Sequence, residues 1–245
     1  MSAFQRSIMM VSSGMNVVTA SDAENVNLRT LLNAKGFNNS IPTTITYTVA
    51  AGATITSSSG NGTSVPAWQT GDIASIHTLN IEIFGAIKGF GGAGGPTMTG
   101  TGTGSVGSEG GTAMNFECDA TLIVSSGASV LAGGGGGGSG GSAQDDDGDG
   151  GLASANGGAG GLGAGTASAA SGVAGQTDTD GDATAQSGSG GDGGAHGQDG
   201  NAGQDGQQGR DRENGFAGGS KGYALKKNSN TISLTNNGTV TGTQG

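Results

Sequence analysis

Proline is nearly missing from this sequence: Pro42, Pro66 and Pro96 are the only three in 245 residues. That excludes a collagen-type triple helix, whose backbone is pre-set by proline and hydroxyproline. Aromatic residues make up 4 % and hydrophobic residues 32 %, too little for an ordinary apolar core to run the whole length. The single cysteine, Cys118, excludes an intramolecular disulfide and reads as a small buried residue of a strand. Positive charge is scarce too. A net charge of −10 argues against nucleic acid as a partner and against binding an anionic membrane by charge alone. No apolar run approaches membrane-spanning length, and the patch Ile8-Met9-Met10-Val11 is too short for a signal-peptide core.

What the chain has instead is glycine, 56 residues of it, and its spacing matters more than its amount. Gly188, Gly191, Gly194, Gly197, Gly200, Gly203, Gly206 and Gly209 form an unbroken three-residue step. The step recurs at Gly133/Gly136, Gly134/Gly137/Gly140, Gly135/Gly138/Gly141, Gly148/Gly151, Gly157/Gly160/Gly163 and Gly89/Gly92/Gly95. Three residues is the period of an extended left-handed helix, which rises about 3.1 Å per residue and makes no internal hydrogen bonds. Composition alone also describes a flexible Gly/Ser linker. The strict period, its recurrence and the flanking apolar segments favour a bundle of polyglycine II helices bonded to one another through their amides.

Apolar residues crowd into positions 1–132 and return at 216–240. Residues 1–20 alternate weakly and read as extended. Ser21-Asp22-Ala23-Glu24 has capping-box spacing ahead of Val26, Leu28, Leu31 and Leu32, with Lys35 in the last turn and Gly36 as a stop. This predicts one short amphipathic helix over 22–35. Segments 44–55, 77–89, 120–133 and 230–242 then look like copies of one unit. Each is an alternating apolar run, a glycine-containing turn and a second short apolar run, with Asn237-Gly238 the strongest hairpin-type turn of the four. Repetition of this kind points to stacked short strands. The expected fold is mostly β with irregular extended structure: a β-helix-like or β-prism-like repeat scaffold over 41–132, a polyglycine II bundle over 133–215, and a strand repeat over 216–245 that returns to the scaffold. The short helix falls in the N-terminal segment, 1–40.

Few side chains suggest chemistry. Asp145, Asp147 and Asp149 before Gly150 fit the start of a calcium loop, and Asp178, Asp180 and Asp182 form a second alternating set. Calcium is therefore the one cofactor worth naming, although Asn156 and Ser189 stand where a calcium loop needs its bidentate glutamate. His77 and His196 have no second ligand at metal spacing. No nucleophile elbow or phosphate loop is present, so the expectation is a protein that binds rather than catalyses. Trp68, alone in a loop, reads as a cover for the small β core. Recognition should sit on the connections between rigid runs. The candidates are 142–147, 164–187 and 210–214, presenting Asp145, Asp146, Asp147, Asp178, Asp180, Asp182, Arg210 and Arg212.

The order Val26-Asn27-Leu28-Arg29, Thr46-Tyr47-Thr48-Val49-Ala50-Ala51-Gly52, Gly91-Gly92-Ala93-Gly94-Gly95 and Gly133 to Gly138 resembles a phage module. The closing Gly222-Tyr223-Ala224, Asn228 to Ile232 and Gly238-Thr239-Val240-Thr241-Gly242 complete the likeness. It resembles the glycine-rich receptor-binding tip of siphophage central tail fibres and is similar in principle to the polyglycine-helix tip adhesins of T-even-like Salmonella phages. The resemblance covers about residues 25–245. It implies a non-enzymatic adhesin of the virion's distal tail, a homotrimer, that recognises a bacterial outer-membrane protein or polysaccharide. Docking to tail-tip or fibre proteins would fall to residues 1–25, within an attachment segment 1–40. The alternative from another class is an ice-binding glycine bundle, against which the Asp- and Gln-rich 164–187 connector and the N-terminal β region argue. A calcium-dependent secreted structural protein is a third reading.

Overall fold

The computed structural model describes residues 13–58, 65–99, 104–148, 150 and 152–245. Ser13–Thr19, Thr43–Val49, Thr78–Ile83, Ala120–Val124 and Ile232–Asn236 form one parallel five-stranded sheet in chain order. Ala23–Glu24, Thr54–Thr56, Ala86–Lys88, Ser129–Leu131 and Thr239–Thr241 form a second. Val26–Asn27, Trp68–Gln69, Met114–Asn115, Tyr223–Lys226 and Thr243–Gln244 form a third. Each sheet thus takes one strand from each of five successive coils of the chain. The first coil is built from residues 13–27, where the sequence shows only weak alternation.

The core lies between the sheets and is made of in-register rows. Val17, Tyr47, Ile81, Leu122 and Leu234 align in the first sheet. Ala23, Ile55, Ile87, Val130 and Val240 align in the second, and Val26, Trp68, Met114 and Leu225 in the third. Alternation with a period of two sends these side chains inward and the intervening Thr, Asn, Ser and Lys outward. Tyr47, Trp68 and Phe116 fill the middle, with ring centroids 5.4 Å and 5.6 Å apart. Trp68 is fully buried. Cys118 is buried too, but in the turn ahead of Ala120–Val124 rather than in a strand.

Two local expectations need correction. The helix is Leu28–Ala34, not 22–35, and its N-cap is Asn27, whose Oδ1 accepts the Thr30 amide at 3.1 Å. Residues 23–27 are taken by strands, and Asp22 spends its carboxylate on the Thr54 amide, 2.8 Å away. Strand pairing with the next coil outcompetes a local cap because it satisfies backbone groups the cap would leave open. Gly36, at φ +78°, does end the helix. Asn237-Gly238 makes no hairpin either: it is a corner between strands of two different sheets. A Cβ on Gly238 would press on the carbonyl oxygens of Ser125 and Ala128 in the coil beneath, so the residue answers to stacking rather than to hairpin geometry.

The glycine-rich segments are insertions between the second and third strands of a coil. Residues 57–67 interrupt the second coil, 89–113 the third and 132–222 the fourth. Among the described residues, runs 89–95, 133–142, 170–175 and 198–206 lead away from the sheets, and 105–111, 157–164, 187–194 and 213–222 lead back. The register shows this. Gly92 and Gly95 donate their amides to Gly134 and Gly137, in the same sense. Gly134, Gly137 and Gly140 donate to Ala164, Gly161 and Gly158, in the opposite sense.

Run 133–141 is buried throughout and lies at the centre. Its three sets of amides serve three neighbours. Gly133, Gly136 and Ser139 donate to the 105–111 run, Gly134, Gly137 and Gly140 to 158–164, and Gly135, Gly138 and Gly141 to 198–204. Its carbonyls accept from three others, 89–95, 188–194 and 213–222. A Cβ on Gly136 would overlap the Ala93 carbonyl oxygen, and one on Gly138 that of Phe216. None of the glycines of 133–141 has a positive φ, so glycine is needed there for its missing side chain, not for its backbone freedom.

Candidate functional site

Because the runs alternate in direction, four connections meet, among the described residues, at the end of the bundle remote from the sheets. The first follows run 89–95: Met98 exchanges backbone bonds with Gly157, and the Pro96 carbonyl accepts from Ser139 Oγ at 2.5 Å. In the second, Ala143–Asp146 pairs antiparallel with Leu152–Ala155. The third is the hairpin of Thr177–Asp180 with Ala183–Gln186. In the fourth, Asp211–Arg212 adds to the outer side of Ala143–Gln144, and Gln208 bridges to Gln186. Ala143, Ala153, Ala155, Ala183 and Ala185 form a small separate core that joins the two hairpins.

The aspartates predicted for this end are all there or beside it, and several are engaged. Asp178 and Asp180 lie on one edge of the exposed Thr177–Asp180 strand and take the amides of Ser154 and Leu152 at 2.8 and 3.1 Å. Asp145 accepts the Thr184 amide at 3.1 Å and faces Arg210 Nε at 3.9 Å. Asp146 folds onto the Gly148 amide at 2.8 Å. These carboxylates do what backbone carbonyls do inside the bundle, closing amides that a sheet edge would leave open. Asp182 is exposed at the turn of its hairpin, and Arg212 Nη1 reaches the Gln207 carbonyl at 3.4 Å. Asp149 of the suggested calcium loop lies outside the described residues. Among those described, no three carboxylates, histidines or cysteines gather closely enough to hold an ion.

The expected 164–187 connector is not one loop. Residues 165–169 turn at the end near the sheets, 170–175 form another outward run, and only 177–186 reaches the far end. Ala170 and Val173 donate to Leu162 and Ala159 at 2.9 and 2.8 Å, which is run-to-run pairing with few glycines to announce it. Sequence reading also missed the Pro96–Thr99 connection. The Gly104, Gly107, Gly110 step of the returning run was the available signal.

The same substitution of carboxylate for carbonyl recurs along the outer runs. Asp192, Asp199 and Asp205 accept the amides of Gly172, Lys221 and Gly215 at 2.9, 2.8 and 2.8 Å. His196 lies at the opposite end, its Nδ1 2.9 Å from the Ala132 carbonyl, and His77 Nε2 sits 3.1 Å from that of Asn39. Residues 1–12, expected with 13–25 to dock the fibre, lie outside the described residues; Ser13–Thr19 and Ala23–Glu24 are strands of the first coil.

Comparison with known proteins gives one fold and one family. The chain is similar in structure to the crystal structure of the gp37–gp38 adhesin tip complex of the bacteriophage S16 long tail fibre. The TM-score is 0.53 at 17 % identity, over 94 % of this chain and 82 % of that one. No curated protein matches the sequence. An ice-binding role finds no support in these likenesses. Residues 14–245 match the family described as phage tail fibre adhesin Gp38, and the chain belongs to that family, an adhesin of the virion's distal tail.

Proposed function

We propose that this adhesin recognises the bacterial host surface through the four connections gathered at the far end of its glycine bundle. We infer that the runs are polyglycine II helices, supported by their three-residue period, by amides that bond only between runs, and by the absence of positive φ in run 133–141. The coils and the glycine bundle are the two functional parts, one facing the tail fibre and the other the host. The receptor is an outer-membrane protein or a surface polysaccharide. Asp182, Arg210 and Arg212 are the side chains at that end with most freedom to meet it, while Asp145, Asp178 and Asp180 first hold the tip together.

The convergence of 143–155, 177–186 and 207–212 on one end, each held by pairing to another, carries this reading. Rigid scaffolds with variable connections are the usual way to present a binding surface. In the complex with the similar fold, the partner is the fibre protein gp37, and a tail-fibre protein is the corresponding partner here. The coils already have three faces within one chain, so a threefold shape is reached without the homotrimer that the resemblance implies.

Adsorption tests this. Replacing the tips of the 143–155 and 177–186 hairpins should abolish or redirect adsorption of purified protein to host cells. Replacing 165–169, at the sheet end, should leave it intact. Equal loss from both replacements, with both proteins folded, overturns the assignment.

A further inference from the structure

Asparagine followed by glycine is a dipeptide open to self-modification, because glycine has no side chain to keep its amide nitrogen off the preceding Cγ. Four such steps occur in the chain: Asn61-Gly62, Asn156-Gly157, Asn214-Gly215 and Asn237-Gly238. The first lies outside the described residues. In each of the other three the glycine nitrogen is already engaged. Gly157 donates to the Met98 carbonyl at 2.9 Å, Gly238 to Asn236 Oδ1 at 3.1 Å, and Gly215 to Asp205 Oδ1 at 2.8 Å. The last of these differs in kind, because its guard is a side chain reaching across from another run. Asn214 is exposed, so water has access to its amide. Its neighbours are pinned from the inner side, Glu213 donating to the Ser142 carbonyl at 3.0 Å and Phe216 to that of Ser139 at 2.8 Å. Asp205 closes the outer side.

We propose that Asn214 is a latent modification site, kept intact by the Asp205 carboxylate. In the reaction the Gly215 amide nitrogen, on giving up its proton, bonds to Asn214 Cγ. The Cγ–Nδ2 bond breaks, and Nδ2 leaves as ammonia with that proton. Water then opens the resulting five-membered imide on one side of its nitrogen or the other. Opening at Cγ leaves aspartate. Opening at the main-chain carbonyl leaves isoaspartate, whose backbone is one methylene longer. Either product puts a new negative charge beside Glu213 and Asp205. The longer backbone also draws Phe216 off the Ser139 carbonyl, and so loosens run 213–222 from the central run 133–141. A hydrogen-bonded amide reacts only from its opened state, as in hydrogen exchange, so the bond to Asp205 governs the rate.

The test is peptide mapping by mass spectrometry of the full chain after incubation at mildly alkaline pH. Wild-type protein should convert Asn214 far more slowly than the same chain unfolded in urea. Asp205→Ala should speed conversion at Asn214 by about fivefold, the rise in open population when one such bond is lost. Asn156 and Asn237 in the same sample report any general loosening and should keep their wild-type rates. Asp199→Ala removes the equivalent bond to the Lys221 amide, 2.8 Å long, and should leave Asn214 unchanged. Wild-type Asn214 that converts as fast as in urea overturns the proposal. So does Asp205→Ala that brings no acceleration, or one shared by Asn156 and Asn237. The consequence for binding rests on the reading of the far end as host-facing, and is measured apart. Adsorption of the incubated Asp205→Ala protein should fall in step with its isoaspartate content. Full conversion with undiminished adsorption overturns that reading for 210–214 and leaves the chemistry standing.

Discussion

The amide of Gly137 lies 2.8 Å from the carbonyl oxygen of Gly161, and the Gly137 carbonyl in turn takes the amide of Gly95 at the same distance. Each such residue ties three runs together, which is possible only while backbones stay close. A Cβ on Gly137 would overlap the Gly191 carbonyl oxygen, and backbone cannot swing aside as a side chain does. Gly137→Ala should therefore cost about 3 kcal/mol, the upper part of the range for overpacking a tight interior. Gly14→Ala, whose new methyl would find only the Thr44 carbonyl at 3.9 Å, should change stability by less than about 0.5 kcal/mol. Denaturant unfolding of the two variants decides the matter, and equal midpoints would remove the close-packed bundle.

The outer runs offer a second test, because there a side chain does the work of a carbonyl. Asp205 Oδ1 accepts the Gly215 amide at 2.8 Å. Asp205→Ala should lower stability by about 1 kcal/mol, the net worth of such a bond. Asp205→Asn keeps an acceptor oxygen and should lose less. Were the alanine and asparagine variants equally damaged, charge rather than the hydrogen bond would be the operative term.

How much of this was legible in the sequence depends on what each residue answers to. Gly133 to Gly141 were legible because a missing side chain leaves a periodic mark. The repeat units were legible because Tyr47, Ile81 and Leu122 alternate strictly with polar neighbours. The helix start was misread because Ser21 to Glu24 satisfies a local rule, while strand pairing of Ala23–Glu24 with Thr54–Thr56 is set by a coil some thirty residues on. Run 170–175 escaped notice since it is bonded at Ala170 and Val173 rather than at glycine. At the tip, composition named the aspartates, but it could not tell that Asp178 and Asp180 close a neighbouring strand's amides. That assignment depends on two hairpins meeting.

Alkaline pH should expose the aromatic core. Burial pushes the Tyr47 phenol up to about 12 from 10, against its bond to the Thr19 hydroxyl at 2.7 Å. Burial likewise lifts the Cys118 thiol from 9 to about 11. Both groups are neutral in the fold at a pH where the unfolded chain has already ionised. Stability is therefore complete below pH 9 and falls from there to about pH 12, with roughly 3 kcal/mol of the loss due to Tyr47. Tyr47→Phe should be about 1 kcal/mol less stable at neutral pH and lose less between pH 10 and 12. An unchanged alkaline slope in that variant would rule Tyr47 out as its source.

The tip has a core of its own, and that makes it separable from the coils. Ala153 and Ala185 are fully buried in the alanine cluster, where a methyl is all the space allows. Ala185→Leu should pry the two hairpins apart, since overpacking so small a contact is relieved more cheaply by opening it than by compressing it. The amides of Leu152 and Ser154, held by Asp180 and Asp178, should then exchange with solvent at least about tenfold faster. Melting of the coils, which share no residue with that cluster, should stay where it is. On the proposed reading of the tip as the host-binding surface, host adsorption should fall along with the protection of those two amides, because the same side chains that close the edge also fix the shape of that surface. If exchange quickens while adsorption does not change, the hairpins are structural trim, and recognition has to be sought at Pro96–Thr99 or Gln207–Arg212 instead.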